Sequence, residues 1–110
     1  MYIWSLIETL EGRTLRTLDP TRSSPFTVET VTHRAVVLRT AASSKVSISQ
    51  EKILECWDTL VEQQKVGLNI GMHVDLGLGR SASYVAAVLA CIPDVIVHTK
   101  PIWLKYHETS

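Results

Sequence analysis

The clearest pattern in the chain is a change of hydrophobic period between residues 46 and 64. Residues 46–49 alternate apolar and polar side chains, as in a strand with one buried face. From Gln50 onwards the apolar residues instead recur on one side of a helix: Ile53, Leu54, Cys56, Trp57, Leu60 and Val61. We therefore predict a strand that leads into an amphipathic helix over 50–64, with Ser49 as its N-cap.

Two further strands are predicted before this helix. Phe26, Val28 and Val31 mark the first, and the apolar run at 35–38, extended to Thr40, marks the second. The connections are short enough for antiparallel hairpins, so the three strands would form a meander. A sheet with one apolar face needs a cover, and the helix over 50–64 is placed to supply it.

The remaining segments are predicted less fully. Helical spacing over 2–11 indicates a short helix that ends near Gly12, while 13–18 fits a strand or an extension of that helix. A second helix is predicted from Ser81 as N-cap to about Cys91, before Pro93, and a short strand at 95–97. Residues 65–67 would end the long helix, and 68–80, rich in glycine, are left unassigned. The expected fold is a single α+β domain over 1–110, with a small antiparallel sheet, a long helix across it, a second helix and a terminal strand.

Composition narrows the class of protein. The chain has 110 residues, of which 45% are hydrophobic and 20% charged, which is typical of a globular domain. There is no N-terminal signal pattern and no apolar run long enough to cross a bilayer, so we expect a cytoplasmic protein without a membrane partner. Both Cys56 and Cys91 fall on predicted apolar helix faces and are expected to be buried, and no metal or other cofactor is expected.

The charges are unevenly distributed although the formal net charge is zero. Basic residues concentrate between 12 and 46, and acidic residues concentrate on the helix over 50–64. These are either two ordinary solvated faces or the footprint of an anionic partner. On the second interpretation, the nucleic-acid-binding candidates are Arg34, Arg39, Lys45, Arg80, Ser83 and Tyr84. Two helices followed by a strand would suit a winged-helix-like arrangement, although sixteen residues between them, as counted on the printed sequence, is long for a helix-turn-helix.

A glycine motif precedes the second helix. Residues 77–82 spell G-x-G-x-x-A, a pattern that brings backbone N–H groups and a helix N-terminus to a phosphate. Gly77, Gly79 and Ser81 are therefore candidate ligand-binding residues. The acidic residue expected about twenty positions later is missing, and the other interpretation is a flexible loop with a capped helix. His73 and Asp75 could be half of an acid–base pair, but no set of residues amounts to an active site, and we expect a non-catalytic protein.

The three tryptophans suggest a further class of function. Trp57 lies on the predicted helix stripe and is expected in the core. Trp4 and Trp103 lie near the two ends, where they would pack together or form a homo-oligomer interface. A protein-interaction or homodimerisation module is therefore the alternative to nucleic-acid binding.

The order of these segments resembles small accessory modules of uncharacterised prokaryotic proteins, some attached to restriction-type nucleases. The resemblance covers roughly residues 26–93 and is carried by Phe26-x-Val28-x-x-Val31, Val46-x-Ile48, Leu54-x-x-x-Asp58 with Trp57, and Ser83 to Ala90 ending at Ile92-Pro93. It includes no catalytic motif. The resemblance implies an accessory or recognition module that works near nucleic acid.

Overall fold

A computed structural model describes residues 3–18, 23–67, 77–99 and 102–106, with the side chains of Arg80 and Thr99 left out. The elements follow one another as α1 (Ile3–Glu8), β1 (Thr14–Arg16), β2 (Pro25–Val31), β3 (Ala35–Thr40), β4 (Lys45–Ser49), α2 (Gln50–Gln63), β5 (Lys65–Gly67), a 3₁₀ turn (Gly79–Ser81), α3 (Ala82–Leu89), β6 (Val95–Thr99) and β7 (Ile102–Tyr106). This architecture confirms the predicted α+β class.

The first sheet is an antiparallel meander in the order β1-β2-β3-β4. Alternate residues point into the core, as the period of two predicts: Phe26, Val28, Val36, Leu38 and Ile48 are all buried. The register shifts between Val28 and Thr30, which leaves Glu29 as the extra residue of a bulge. Three of the four strands were predicted, and β1 corresponds to one of the two interpretations of residues 13–18.

The long helix begins and ends through identifiable local contacts. The Ser49 side chain accepts a hydrogen bond from Lys52 N at 3.2 Å, so the predicted N-cap is present. At the other end Gln64 adopts a left-handed conformation, with φ of 63°, and turns the chain directly into β5. Lys65, Val66 and Gly67 are therefore a strand, and their predicted role as the end of the helix was wrong. No short turn joins α2 to α3, since β5 follows α2.

A second antiparallel sheet has the order β5-β7-β6. Its central strand is the C-terminal segment around Trp103, for which the sequence predicted only that it docks on the fold. Val66 and Leu104 pair in register and are buried, so they mark the core side of this sheet. The alternate residues of each strand point to the other side, towards solvent.

The buried side chains of both sheets and all three helices form one apolar cluster. In α3 all but two residues are buried, as the alanine-rich pattern indicated. Trp57 of α2 is half-buried and meets Tyr106 of β7 edge-on, with ring centroids 5.6 Å apart, so α2 covers the core side of the second sheet. In the described part of the chain, no helix is both long and apolar enough to cross a membrane.

Three local predictions were wrong. The side chain of Ser81 makes no capping hydrogen bond, because Ser81 closes a 3₁₀ turn and is itself helical. Cys91 lies beyond the end of α3 and is exposed rather than buried. Trp4 does not lie at a terminal interface: it is buried, and its indole N–H donates to Thr32 O at 2.9 Å.

Candidate functional site

The basic residues predicted to bind nucleic acid are placed in three different regions. Arg34 lies in the exposed turn between β2 and β3, where its carbonyl accepts a hydrogen bond from Gln50 N. Arg39 lies five residues further along β3, roughly 17 Å away in an extended strand. Arg80 lies in the 3₁₀ turn before α3. The structure therefore brings Arg39 together with Lys45 but not with Arg34.

Arg39 and Lys45 pair across β3 and β4 on the outer side of the first sheet. Arg39 Nε lies 3.2 Å from Glu29 Oε1, without the angles of a hydrogen bond, and its Nη1 donates to Ser43 O at 3.2 Å. The carboxylate supplied by the bulge therefore offsets part of the positive charge of this pair.

Two of the predicted contacts, Ser83 and Tyr84, lie half-buried on α3. The Tyr84 ring is half-buried and meets Phe26 edge-on, with centroids 5.1 Å apart and an interplanar angle of 80°. Its ring therefore helps to fix α3 on the first sheet. Ser83 is half-buried beside it in the chain.

The glycine motif forms one wall of a shallow cleft. Gly77, Leu78 and Ser81 line a cavity of about 290 Å³ together with Ser49 and Lys52 at the start of α2 and with the neighbouring Ser47 and Ile48. Both Gly77 and Gly79 have positive φ, the conformation for which glycine is suited. The candidate strand before this motif and the pair His73 and Asp75 lie outside the described residues.

A different surface combines cations with aromatic rings. The solvent-facing side of the second sheet carries Lys65 of β5, Trp103 and Lys105 of β7, and Ile96 and His98 of β6. We call these five residues the basic sheet face. All are exposed except Trp103, which is half-buried. None of them was among the predicted nucleic-acid-binding or ligand-binding residues, although Trp103 was a candidate for a homo-oligomer interface.

Trp103 stands between two partners on this face. The His98 ring stacks on it with centroids 3.7 Å apart and an interplanar angle of 5°. The Lys65 ammonium lies 4.3 Å from the indole centroid, a cation–π contact. Gly67 lies directly opposite Trp103 in the ladder and has no side chain, so it leaves room for Lys65 to reach across. Because β5 and β6 flank β7 on opposite sides, the two partners approach the indole from opposite sides.

The charges of the basic sheet face are uncompensated within the described residues. Lys65 and Lys105 lie directly opposite each other in the ladder, and in those parts of the chain no carboxylate lies within ion-pairing distance of either. Like charges in this position repel and are destabilising. An anion bound between the two ammonium groups would relieve that repulsion.

The acidic residues of α2 lie well apart from the basic sheet face. They form one exposed stripe: Glu51, Glu55, Asp58 and Glu62. This stripe is on the opposite side of the helix from Ile53 and Leu60, which are buried. The helix covers the core side of the second sheet, so the basic face is on the far side of the sheet from it. An anionic partner is therefore attracted to one side of the molecule and repelled by the other.

The cysteines do not offer a reactive centre. Burial raises the pKa of the Cys56 thiol to about 12, with a smaller contribution from the Glu55 carboxylate. Partial desolvation of the exposed Cys91 thiol, which contacts Ala87 O, also raises its pKa, although the charge of Arg13 opposes the change. Cys91 and Arg13 line a small cleft of about 150 Å³ between α1 and the end of α3. Where the chain is described, no three His, Cys, Asp or Glu side chains cluster as a metal site.

Comparison of the chain with protein-family models, with curated protein sequences and with solved structures found no match. The function must therefore be inferred from the geometry of the chain's own surfaces.

Proposed function

We propose that this chain is a non-catalytic binding module whose partner is nucleic acid, bound on the basic sheet face. The observation that carries the proposal is the directly opposed pair Lys65 and Lys105 beside a stacked Trp103. Cations next to aromatic rings on an open sheet are what a nucleic-acid strand needs for phosphate contact and base contact. The resemblance to accessory modules near nucleases points to the same class of partner.

The earlier candidate surface, formed by Arg39 and Lys45, remains a second location for the same function. It is less favourable because Glu29 already neutralises part of its charge and no aromatic side chain of the described residues lies on it. The two surfaces can be separated by mutation, because their charged residues lie in different sheets.

The test is fluorescence anisotropy of labelled single-stranded and duplex oligonucleotides over a series of salt concentrations. Two phosphate contacts from Lys65 and Lys105 should give a slope of log affinity against log salt of about −1.4 for single strands. The double variant Lys65→Gln/Lys105→Gln should lose most of that slope. The matched control Arg39→Gln/Lys45→Gln removes two cations from the first sheet and should retain it.

Two results would contradict this assignment. Absence of binding at low salt, where electrostatic attraction is strongest, would remove nucleic acid as the partner. If the salt dependence of binding is lost only in the control double variant, the chain still binds nucleic acid, but its interface lies on the first sheet.

Self-association is the second candidate function, and one observation favours it. Ile96 is 43% exposed on β6, which lies at the edge of the second sheet as far as the described residues form it. An exposed edge with an apolar side chain is suited to pairing with a second copy. Light scattering should then show a molar mass that rises with concentration and returns to the monomer value in Ile96→Lys. A constant monomer mass in the unmodified chain would exclude it.

The cleft beside the glycine motif supports a third proposal, a small anionic ligand such as a nucleotide. Lys52 and three serines line it, and a ligand that binds only the folded chain must raise the melting temperature. Thermal unfolding in millimolar nucleotide, with Lys52→Ala as the comparison, tests this site. No shift with any nucleotide would rule it out.

A further inference from the structure

Three planar or cationic groups form a short column on the basic sheet face. The register places His98 opposite Trp103, and Lys65 reaches the other side of the indole. The indole therefore has partners on both sides and has no open ring face to offer a ligand. Any further stacking must take place at an end of the column.

The open end of the column is the outer face of His98. Its inner face is covered by Trp103 at 3.7 Å, nearly parallel. Among the described residues β6 is an edge strand, and none of them forms a strand beyond His98 on its other side. The imidazole is exposed, and in the described ranges no other ring stacks on it. Trp103 thus holds the imidazole in a fixed orientation while one of its faces stays open to solvent.

Resting on the proposed function, we infer that this open face of His98 receives an unpaired nucleobase, so that the partner is single-stranded nucleic acid. A base would extend the column by one ring, while the ammonium groups of Lys65 and Lys105 contact backbone phosphates. Stacking on a protein ring needs a base whose face is free, and in a duplex the faces are occupied by neighbouring base pairs. Duplex would therefore keep the phosphate contacts and lose the stacking contact.

The experiment compares two oligonucleotides of the same length and charge in DNA and RNA versions. One carries ordinary bases and the other carries abasic residues in its central part. Because base–ring stacking contributes roughly 1–3 kcal/mol, the intact strand should bind between about 5-fold and 150-fold more tightly than the abasic strand. His98→Ala should remove this difference, whereas His98→Phe, which keeps an aromatic face, should restore it. Circular dichroism checks that both variants are folded.

The outcomes separate this inference from the proposed function. If intact, abasic and duplex forms bind equally and with the same salt dependence, phosphate binding stands and base stacking on His98 is refuted. The same refutation follows if His98→Ala keeps the preference for intact strands. If none of the oligonucleotides binds at low salt, the proposed function fails, and the inference fails with it.

Discussion

Lys105→Glu should make the fold more stable while it weakens nucleic-acid binding. Lys105 lies directly opposite Lys65, so the substitution converts a repulsive cross-strand pair into an attractive one. Directly opposed side chains have Cβ atoms roughly 4.5–5.5 Å apart, and two charges about 6 Å apart in water interact by roughly 0.7 kcal/mol. Replacing the repulsion by an attraction of equal size changes the energy by about twice that amount before screening. After screening by salt and water, we expect the free energy of unfolding to rise by about 0.5 kcal/mol.

Urea denaturation, followed by circular dichroism, measures the change in stability, and the salt dependence of anisotropy measures binding. The salt slope should flatten by about 0.7, since one phosphate contact is lost. Lys45→Glu is the matched control, because Lys45 lies directly opposite Arg39 in the other sheet. That variant should also be stabilised, by less, since Glu29 already lies near Arg39. It should bind nucleic acid as before.

Destabilisation in Lys105→Glu would refute the inference that the lysine pair is repulsive. Equal loss of binding in Lys105→Glu and Lys45→Glu would show instead that nucleic acid responds only to the net charge of the chain. A stabilised Lys105→Glu with unchanged binding would mean that the basic sheet face does not contact the phosphates.

Three further predictions concern the fold. The folded pKa of Cys56 is raised from 9.0 to about 12, so its contribution to stability is complete below pH 9 and is lost as the pH rises towards 12. At pH 10 the loss of stability should be on the order of 1 kcal/mol, and it should be absent in Cys56→Ala; equal pH dependence in both proteins would contradict it. A maleimide should modify Cys91 in the native protein and Cys56 only after unfolding. Rapid modification of both thiols in the native protein would contradict the burial of Cys56. Gln64→Gly should stabilise the fold by roughly 0.5–1 kcal/mol in urea denaturation, because Gln64 has positive φ, a conformation that is strained for a residue with a side chain. A loss of stability would show that contacts of the Gln64 side chain stabilise the fold by more than the strain costs.

The parts of the fold that the sequence predicted are those in which one apolar face repeats over many residues. Strands β2, β3 and β4 and helix α2 each show their period clearly, and their order along the chain decides how they pair. The strand β5 has three residues and follows the helix directly, so no period can develop within it. Its existence depends on Gln64 turning the chain and on β7, which supplies the hydrogen-bonding partners from 36 to 40 residues away. Local patterns contain no information about that pairing.

The candidate site could not be predicted for the same reason. Lys65 and Trp103 are far apart in sequence, and only the pairing of β5 with β7 places them in contact. The sequence drew attention instead to the arginines near β3, because they concentrate in one segment. Concentration along the chain did not make one surface, since Arg34 lies in the turn before β3 and Arg39 lies near the other end of that strand. Trp103 was a candidate for an interface; the structure places it half-buried on the outer side of the second sheet, and its role at an interface stays a prediction.

Zero net charge does not argue against an anionic partner for this chain. The acidic stripe of α2 and the basic sheet face lie on opposite sides of the layer that α2 and the second sheet form. A charged partner responds to the local field within about 10 Å at ordinary ionic strength, and the total charge has little effect at that range. The acidic stripe should therefore orient the partner more than it weakens binding. The double variant Glu55→Gln/Asp58→Asn should raise the association rate with nucleic acid only slightly. A large increase in affinity would show instead that the acidic stripe acts electrostatically on a partner bound at the basic sheet face.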